Sequence, residues 1–325
     1  MGSMDVLFSP IILFFVLGAL AAFARSDLAI PEAIAKGMSL YLMAAIGLKG
    51  GTQVAAAGFS IDMLTAALAG VALSFLLPLP AFFALRKFGG LDPLNAAATS
   101  AHYGSVSVVT FVTGVEVLTA SGMPPAGYMV AVLALMETPA IIVGLMMARR
   151  ATAAVGGAVP APAMKQGLMH ETLLNGSVVL LVGSFVIGLI AGKEGMAPIA
   201  PVFETAFRGV LCLFLLDMGL IAGRRLVEAR ALTWRTASLG VVLPVCNGFI
   251  GVLIGTLLGL DPGSVTAMGI LAGSASYIAV PAVMRLALPQ ADPGIYLGMS
   301  LAVTFPFNIM FGIPLYTELA TRMAA

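Results

Sequence analysis

Two tetrapeptides carry the residues best able to do chemistry, Gly104-Ser105-Val106-Ser107 and Gly273-Ser274-Ala275-Ser276. Each sits inside an apolar stretch downstream of an identical Leu-Asp-Pro, at residues 91–93 and 260–262. Glycine and serine weaken a helix, and serine side chains compete for main-chain hydrogen bonds, so the spacing predicts local unwinding at both places. Unwinding exposes N–H groups at the start of the following half-helix. Those groups and the positive end of the helix dipole form an anion site without a buried lysine or arginine. Brought together near the bilayer midplane, Ser105, Ser107, Ser274 and Ser276 would add several O–H donors, with Tyr277 lining the site. The chemistry is recognition of a small oxyanion. The plainer alternative is that small residues let two helices cross closely; the duplication favours a site.

Acids at membrane depth come next. Glu137 stands in Met136-Glu137-Thr138-Pro139, and Asp217 and Glu116 lie in other apolar runs. An ionisable group there is costly and marks function by default. Beside hydroxyls and a proline-loosened helix, a carboxylate suits Na+, a hard cation satisfied by oxygen ligands. Glu137 is the expected sodium ligand, with Thr110 adding a hydroxyl near the first tetrad. Its counterpart in the second half, Thr304-Phe305-Pro306 followed by Asn308, offers neutral oxygens from Thr304 and Asn308. Asp217 and Glu116 have weaker claims: Asp217 could equally be neutralised by a neighbouring cation such as Arg208 or by a partner helix, and Glu116 could simply reach the exterior. His102 has no counterpart beside the second tetrad and reads as a packing or hydrogen-bonding residue.

Elements must hold these groups, and the chain repeats them in order. Lys36-Gly37 recurs as Arg208-Gly209 and Gly47-Leu48-Lys49-Gly50-Gly51 as Gly219-Leu220-Ile221-Ala222-Gly223, both at an offset of 172. The Leu-Asp-Pro and tetrad offsets are 169; Tyr128 pairs with Tyr296 at 168 and Pro139 with Pro306 at 167. Such small drift indicates one duplicated unit.

At 60% hydrophobic and 10% charged residues, with a mean hydropathy of +1.06, the chain is expected to be an all-α integral membrane protein. The net charge of +1 gives no field for nucleic acid, and two cysteines in apolar runs argue against a disulfide framework. Ten apolar spans are read at 6–24, 34–48, 63–85, 93–119, 126–148, 172–191, 202–221, 236–259, 263–288 and 294–319. Five fall in each repeat, so the second copy enters the membrane upside down. The expectation is a 5+5 inverted repeat, residues 1–148 and 171–325 around a cytoplasmic linker at 149–170, with interrupted helices four and nine. No cleavable signal peptide is expected. With the N-terminus outside, twelve of the sixteen Lys and Arg fall on the cytoplasmic side, leaving Lys49, Lys193, Arg208 and Arg322. Both termini are therefore expected to face the exterior of a plasma (inner) membrane.

The order of short motifs carries a resemblance. Pro31-Glu32-Ala33-Ile34, Ile46-Gly47-Leu48-Lys49-Gly50-Gly51, the first tetrad, Met136-Glu137-Thr138-Pro139-Ala140, Phe207-Arg208-Gly209 with Met218-Gly219, and the serine-rich stretch before Pro281 together resemble the SbtA-like sodium-dependent bicarbonate transporters over nearly the whole chain. The resemblance implies a Na+-coupled bicarbonate importer, not an enzyme, with a gate domain from spans one, two, six and seven. Spans three to five and eight to ten would form a core moving like an elevator, within a homotrimer. It assigns bicarbonate to Ser105, Ser107, Ser274 and Ser276, and puts Glu137 where the family has an Asp near its sodium. Members carry an Asp after the second serine cluster, where this chain has Tyr277. They can also bind a PII-like regulatory protein; the short linker carries no sign of that partner. Two other readings remain, a symporter of another small anion such as a short carboxylate, and an intramembrane hydrolase using Ser105 or Ser107 with His102 or His170 as base.

Overall fold

The duplicated Leu-Asp-Pro is a helix start. Asp92 accepts from the backbone N–H groups of Leu94 and Asn95 at 3.0 and 3.1 Å, and Asp261 accepts from that of Ser264 at 2.9 Å. The following proline occupies a first-turn position whose N–H has no helical acceptor anyway. In this computed structural model, which describes residues 9–153, 176–228 and 232–324, every regular element is helical and no strand occurs among the described residues.

The first half builds α1 (Pro10–Phe23), capped by Ser9, and α2 (Glu32–Ala57), then α3 (Ile61–Leu76), which continues through a bend at Pro78 into α4 (Pro78–Lys87). After Asp92 come α5 (Pro93–His102), α6 (Val108–Ala120), α7 (Met129–Met136) and α8 (Pro139–Ala153). The second half has α9 (Gly176–Met196), broken at Gly192 with φ +60, then short 3₁₀ and π turns leading into α10 (Phe207–Glu228). It continues with α11 (Trp234–Leu257), started by a Thr233/Thr236 capping box and containing Pro244, then α12 (Pro262–Gly273) and α13 (Ala279–Ala287). The chain closes with α14 (Pro293–Leu297), α15 (Phe305–Phe307) between two π turns, and α16 (Ile313–Ala324).

Among the described residues, six helical stretches, some bent or interrupted within, are long and apolar enough to cross a bilayer: Ile61–Lys87, Met129–Arg150, Val178–Ile199, Pro201–Val227, Trp234–Leu257 and Pro293–Met323. The other expected spans fall short of that test for local reasons. α1 is too short, the charges and glycines of α2 dilute its apolarity, and the stretches 93–119 and 263–288 are each broken into two helices. Large apolar side chains such as Leu68, Phe83, Ile190 and Leu257 face outward, which suits lipid and not water. This is a membrane protein. Arg149 and Arg150 lie within α8 rather than after it, and most of the expected linker falls outside the described residues, as does His170.

Packing divides the helices into two bodies. α1 lies along α10 and α2 along α9, while α3 to α8 and α11 to α16 pack mainly on one another. Backbone approach explains the repeated glycines. A Cβ on Gly18 would lie 2.1 Å from the carbonyl oxygen of Leu216, and one on Gly219 2.1 Å from that of Phe15. In the other pair, a Cβ on Gly51 would lie 1.9 Å from the carbonyl oxygen of Phe185, and one on Gly188 2.2 Å from that of Leu48. Small residues at these crossings let the backbones touch. Close crossing of the kind weighed for the tetrads thus also occurs at the Gly47 and Gly219 repeats.

Candidate functional site: two crossed helix breaks

α5 stops at His102 and α6 starts at Val108; α12 stops at Gly273 and α13 starts at Ala279. The tetrads occupy these breaks, and the breaks touch. The Ser107 N–H donates to Ser274 Oγ at 2.9 Å, and the Ser276 N–H donates to the His102 carbonyl at 3.0 Å. His102 returns the link by donating Nδ1–H to the Ser276 carbonyl, an oxygen that only accepts. Gly104, Ser105, Val106, Ser107, Gly273, Ser274, Ala275 and Ser276 are all buried.

The four hydroxyls divide by role. Ser107 caps α6: its Oγ accepts from the Thr110 N–H at 3.2 Å and from the Thr110 hydroxyl at 2.9 Å. Ser276 Oγ accepts from the Val280 N–H at 3.4 Å, in the first turn of α13. Both therefore use lone pairs on the protein and keep their own proton. Ser105 instead donates to the Glu137 carbonyl at 3.0 Å, and Ser274 to the Leu271 carbonyl at 2.9 Å. Since the first N–H groups of any helix lack intrahelical acceptors, the starts of α6 and α13 bring positive dipole ends to the same crossing.

A second layer pins the ends of α5 and α12. Asn247 donates to the Tyr103 carbonyl at 3.1 Å and Asn308 to the Gly273 carbonyl at 2.8 Å. Tyr316 donates its hydroxyl proton within reach of both Asn308 Oδ1, 3.0 Å away, and the Pro244 carbonyl, 2.9 Å away. Thr304 donates to the Gly240 carbonyl at 2.6 Å and lies 2.8 Å from the Tyr103 hydroxyl. The glycines of the tetrads are needed for this closeness. A Cβ at Gly104 would meet the Pro78 ring at 2.3 Å, and one at Gly273 would meet the Tyr316 hydroxyl at 2.5 Å and the Pro244 carbonyl at 2.9 Å. Gly273→Ala is expected to push Tyr316 off both acceptors and destabilise the fold by about 1–3 kcal/mol, the usual range for overpacking. Thermal melting of the purified variant measures it, and an unchanged midpoint would refute the tight contact.

Three of the four expected sodium ligands, Glu137 through its carbonyl, Thr110 and Asn308, are one hydrogen bond from a tetrad residue, whereas Thr304 bonds Tyr103, the residue before the first tetrad, and Gly240. Thr110 lies at Ser107, Thr304 at Tyr103 and Asn308 at Gly273, with their oxygens already engaged by the protein. Glu137 sits in the break between α7 and α8, where Ser74 donates to the Met136 carbonyl at 2.7 Å and accepts from the Ala140 N–H at 3.2 Å. Its carboxylate is buried and forms no ion pair or hydrogen bond with a described residue. No cluster of three or more His, Cys, Asp or Glu occurs among the described residues. The buried Tyr277 hydroxyl lies beside Ser107 without a hydrogen bond of normal geometry.

Two expectations are corrected. Arg208 pairs not with Asp217 but with Glu116, its Nε donating to Oε2 at 2.7 Å. Glu116 is buried rather than exterior, and Lys49 Nζ approaches its other oxygen at 3.4 Å. Asp217 keeps one buried oxygen without a partner, and the cation in electrostatic range is Arg224, two turns along α10. His102 does not reach a serine hydroxyl: Nδ1 is committed to a carbonyl, Nε2 has no partner, and the ring stacks on Tyr296. That geometry does not assemble a nucleophile and base. Sequence reasoning missed Ser74, Asn247 and Tyr316, although each is a polar side chain in an apolar run, a signal in its own right.

No individual curated protein matches the chain. A family model, by contrast, covers residues 10–321, from the start of α1 into α16, and it describes transporters, not enzymes. The protein belongs to the Na+-dependent bicarbonate transporter superfamily.

Proposed function

We propose that the protein is a sodium-coupled bicarbonate symporter in which Ser107 and Ser276 hold the anion between the starts of α6 and α13. The observation that carries this reading is the division of hydroxyls: these two accept from their own helices, and neither donates a hydrogen bond of normal geometry to a described residue, the neighbouring Tyr277 hydroxyl included. An oxyanion at the crossing would receive two O–H donors and two sets of helix-start N–H groups. Ser105 and Ser274 then fix the breaks in place. Glu137 supplies the charge that pairs with Na+, with Thr110, Thr304 and Asn308 as neutral oxygens that would have to reorient. Either ion alone leaves an unpaired charge in a low-dielectric path, so movement is favoured only with both bound or neither.

The rest of the proposal extends the sequence reading. The body made of α1, α2, α9 and α10 acts as the gate, and the remainder as a core that slides against it like an elevator. Ten crossings form a 5+5 inverted repeat; in support, the α1–α10 and α2–α9 pairs exchange under the offset of 172. Three copies assemble in the plasma (inner) membrane with both termini outside. Docking of a PII-like protein has no support in the described residues.

Labelled bicarbonate uptake into proteoliposomes tests the assignment. An inward Na+ gradient is expected to raise the initial rate about tenfold or more over a choline control. Equal rates would rule out symport. Hydroxyls and helix ends recognise oxyanions without naming them, so a short carboxylate is the second reading, and stronger competition by formate or acetate than by bicarbonate would favour it.

A further inference from the structure

On the far side of α6 from its Ser107 cap lies a cavity of about 530 Å³. Lys49 from α2, Arg208 from α10 and Lys193 from the end of α9 line it, together with the carboxylates Glu116 and Glu204. Three cations face two acids, and Phe203 and Phe207 contribute apolar wall that strengthens the remaining field. Lys49, Lys193 and Arg208 are three of the four basic residues that the charge count leaves outside.

Burial within the cluster is lopsided. The Glu116 side chain is 4% exposed, whereas Lys49 and Arg208 are 35% and 59% exposed. The cations therefore face the cavity, and a carboxylate reaches them from the wall. Glu116 presents one oxygen to Arg208 at 2.7 Å and the other to Lys49 at 3.4 Å. This is how the two planar oxygens of a small carboxylate-like anion would be held. The contact to Lys49 is long, and the Arg208 contact uses Nε alone, so Glu116 falls short of a bidentate grip on either cation.

We propose that Lys49, Arg208 and Lys193 form a peripheral site for a small monovalent oxyanion of carboxylate shape, which Glu116 occupies as an intramolecular competitor. An arriving anion takes Arg208 and Lys49 and leaves the Glu116 carboxylate to water in the cavity. Because Glu116 belongs to the helix that Ser107 starts, occupancy of this cavity bears on the end of α6 remote from the tetrads.

The test is calorimetric titration of choline bicarbonate into the full-length chain in nanodiscs, in Na+-free buffer. Every variant carries Ser107→Ala and Ser276→Ala, so heat at this site is separated from heat at the tetrads whether or not the tetrads bind bicarbonate. Adding Glu116→Gln is expected to tighten binding about tenfold. Adding Arg208→Gln is expected to abolish it, and Lys193→Gln to weaken it. An affinity unmoved by Glu116→Gln, or retained in Arg208→Gln, would overturn the proposal. If Glu116→Gln does not yield folded protein, Glu116→Asp shortens the competitor and is expected to tighten binding about threefold; no change there is equally fatal.

Discussion

Ser107→Ala is expected to weaken bicarbonate uptake about 10- to 100-fold through KM, the range for removing one donor from a charged acceptor. Two effects must be separated, because Ser107 also caps α6. Losing an N-cap costs about 1 kcal/mol of stability, which melting records, and it leaves most molecules folded. Ser276→Ala is expected to follow the same pattern through Val280, and the double variant to lose uptake altogether. Ser105→Ala and Ser274→Ala are the informative contrast. Their hydroxyls are spent on the Glu137 and Leu271 carbonyls, so they should lower melting without a comparable rise in KM. Uptake kinetics across the four variants decide the matter, and equal KM values for Ser107→Ala and wild type would remove that hydroxyl from the site.

Glu137→Gln is expected to separate function from stability. The carboxylate is buried with no counter-charge among the described residues, and a buried unpaired ion is more costly than a buried amide of the same shape. Replacement should leave the melting midpoint unchanged or higher. Transport should fall at least about tenfold at a given Na+ concentration, because a hard cation loses its charged ligand. Na+ activation curves read the shift, and a variant that melts early with an unaltered Na+ response would make Glu137 structural instead.

Much of this was legible because it is local. A Leu-Asp-Pro announces a capped start, a Gly-Ser tetrad announces a stop, and Thr138-Pro139 announces a loosened turn; each signal lies within a few residues of its effect. The end of α2 was not, because Gly50 and Gly51 read as punctuation in isolation. They continue the helix to Ala57, and are glycine because a side chain at Gly51 or Gly50 would collide with Phe185 or Val130 of neighbouring helices. Partner choice was equally hidden. Glu116 meets Arg208 across 92 residues of chain and His102 meets Ser276 across 174, separations at which residue type offers a donor or acceptor but names no mate.

The interlocked pairs α1–α10 and α2–α9 also impose an order on biosynthesis. When the first half leaves the ribosome, two of its helices have bare glycine faces whose complementary surfaces have not yet been translated. They must wait in lipid, inserted but unmated, until the closing half arrives to clasp them. Neither half can finish itself, so maturation is a single late event.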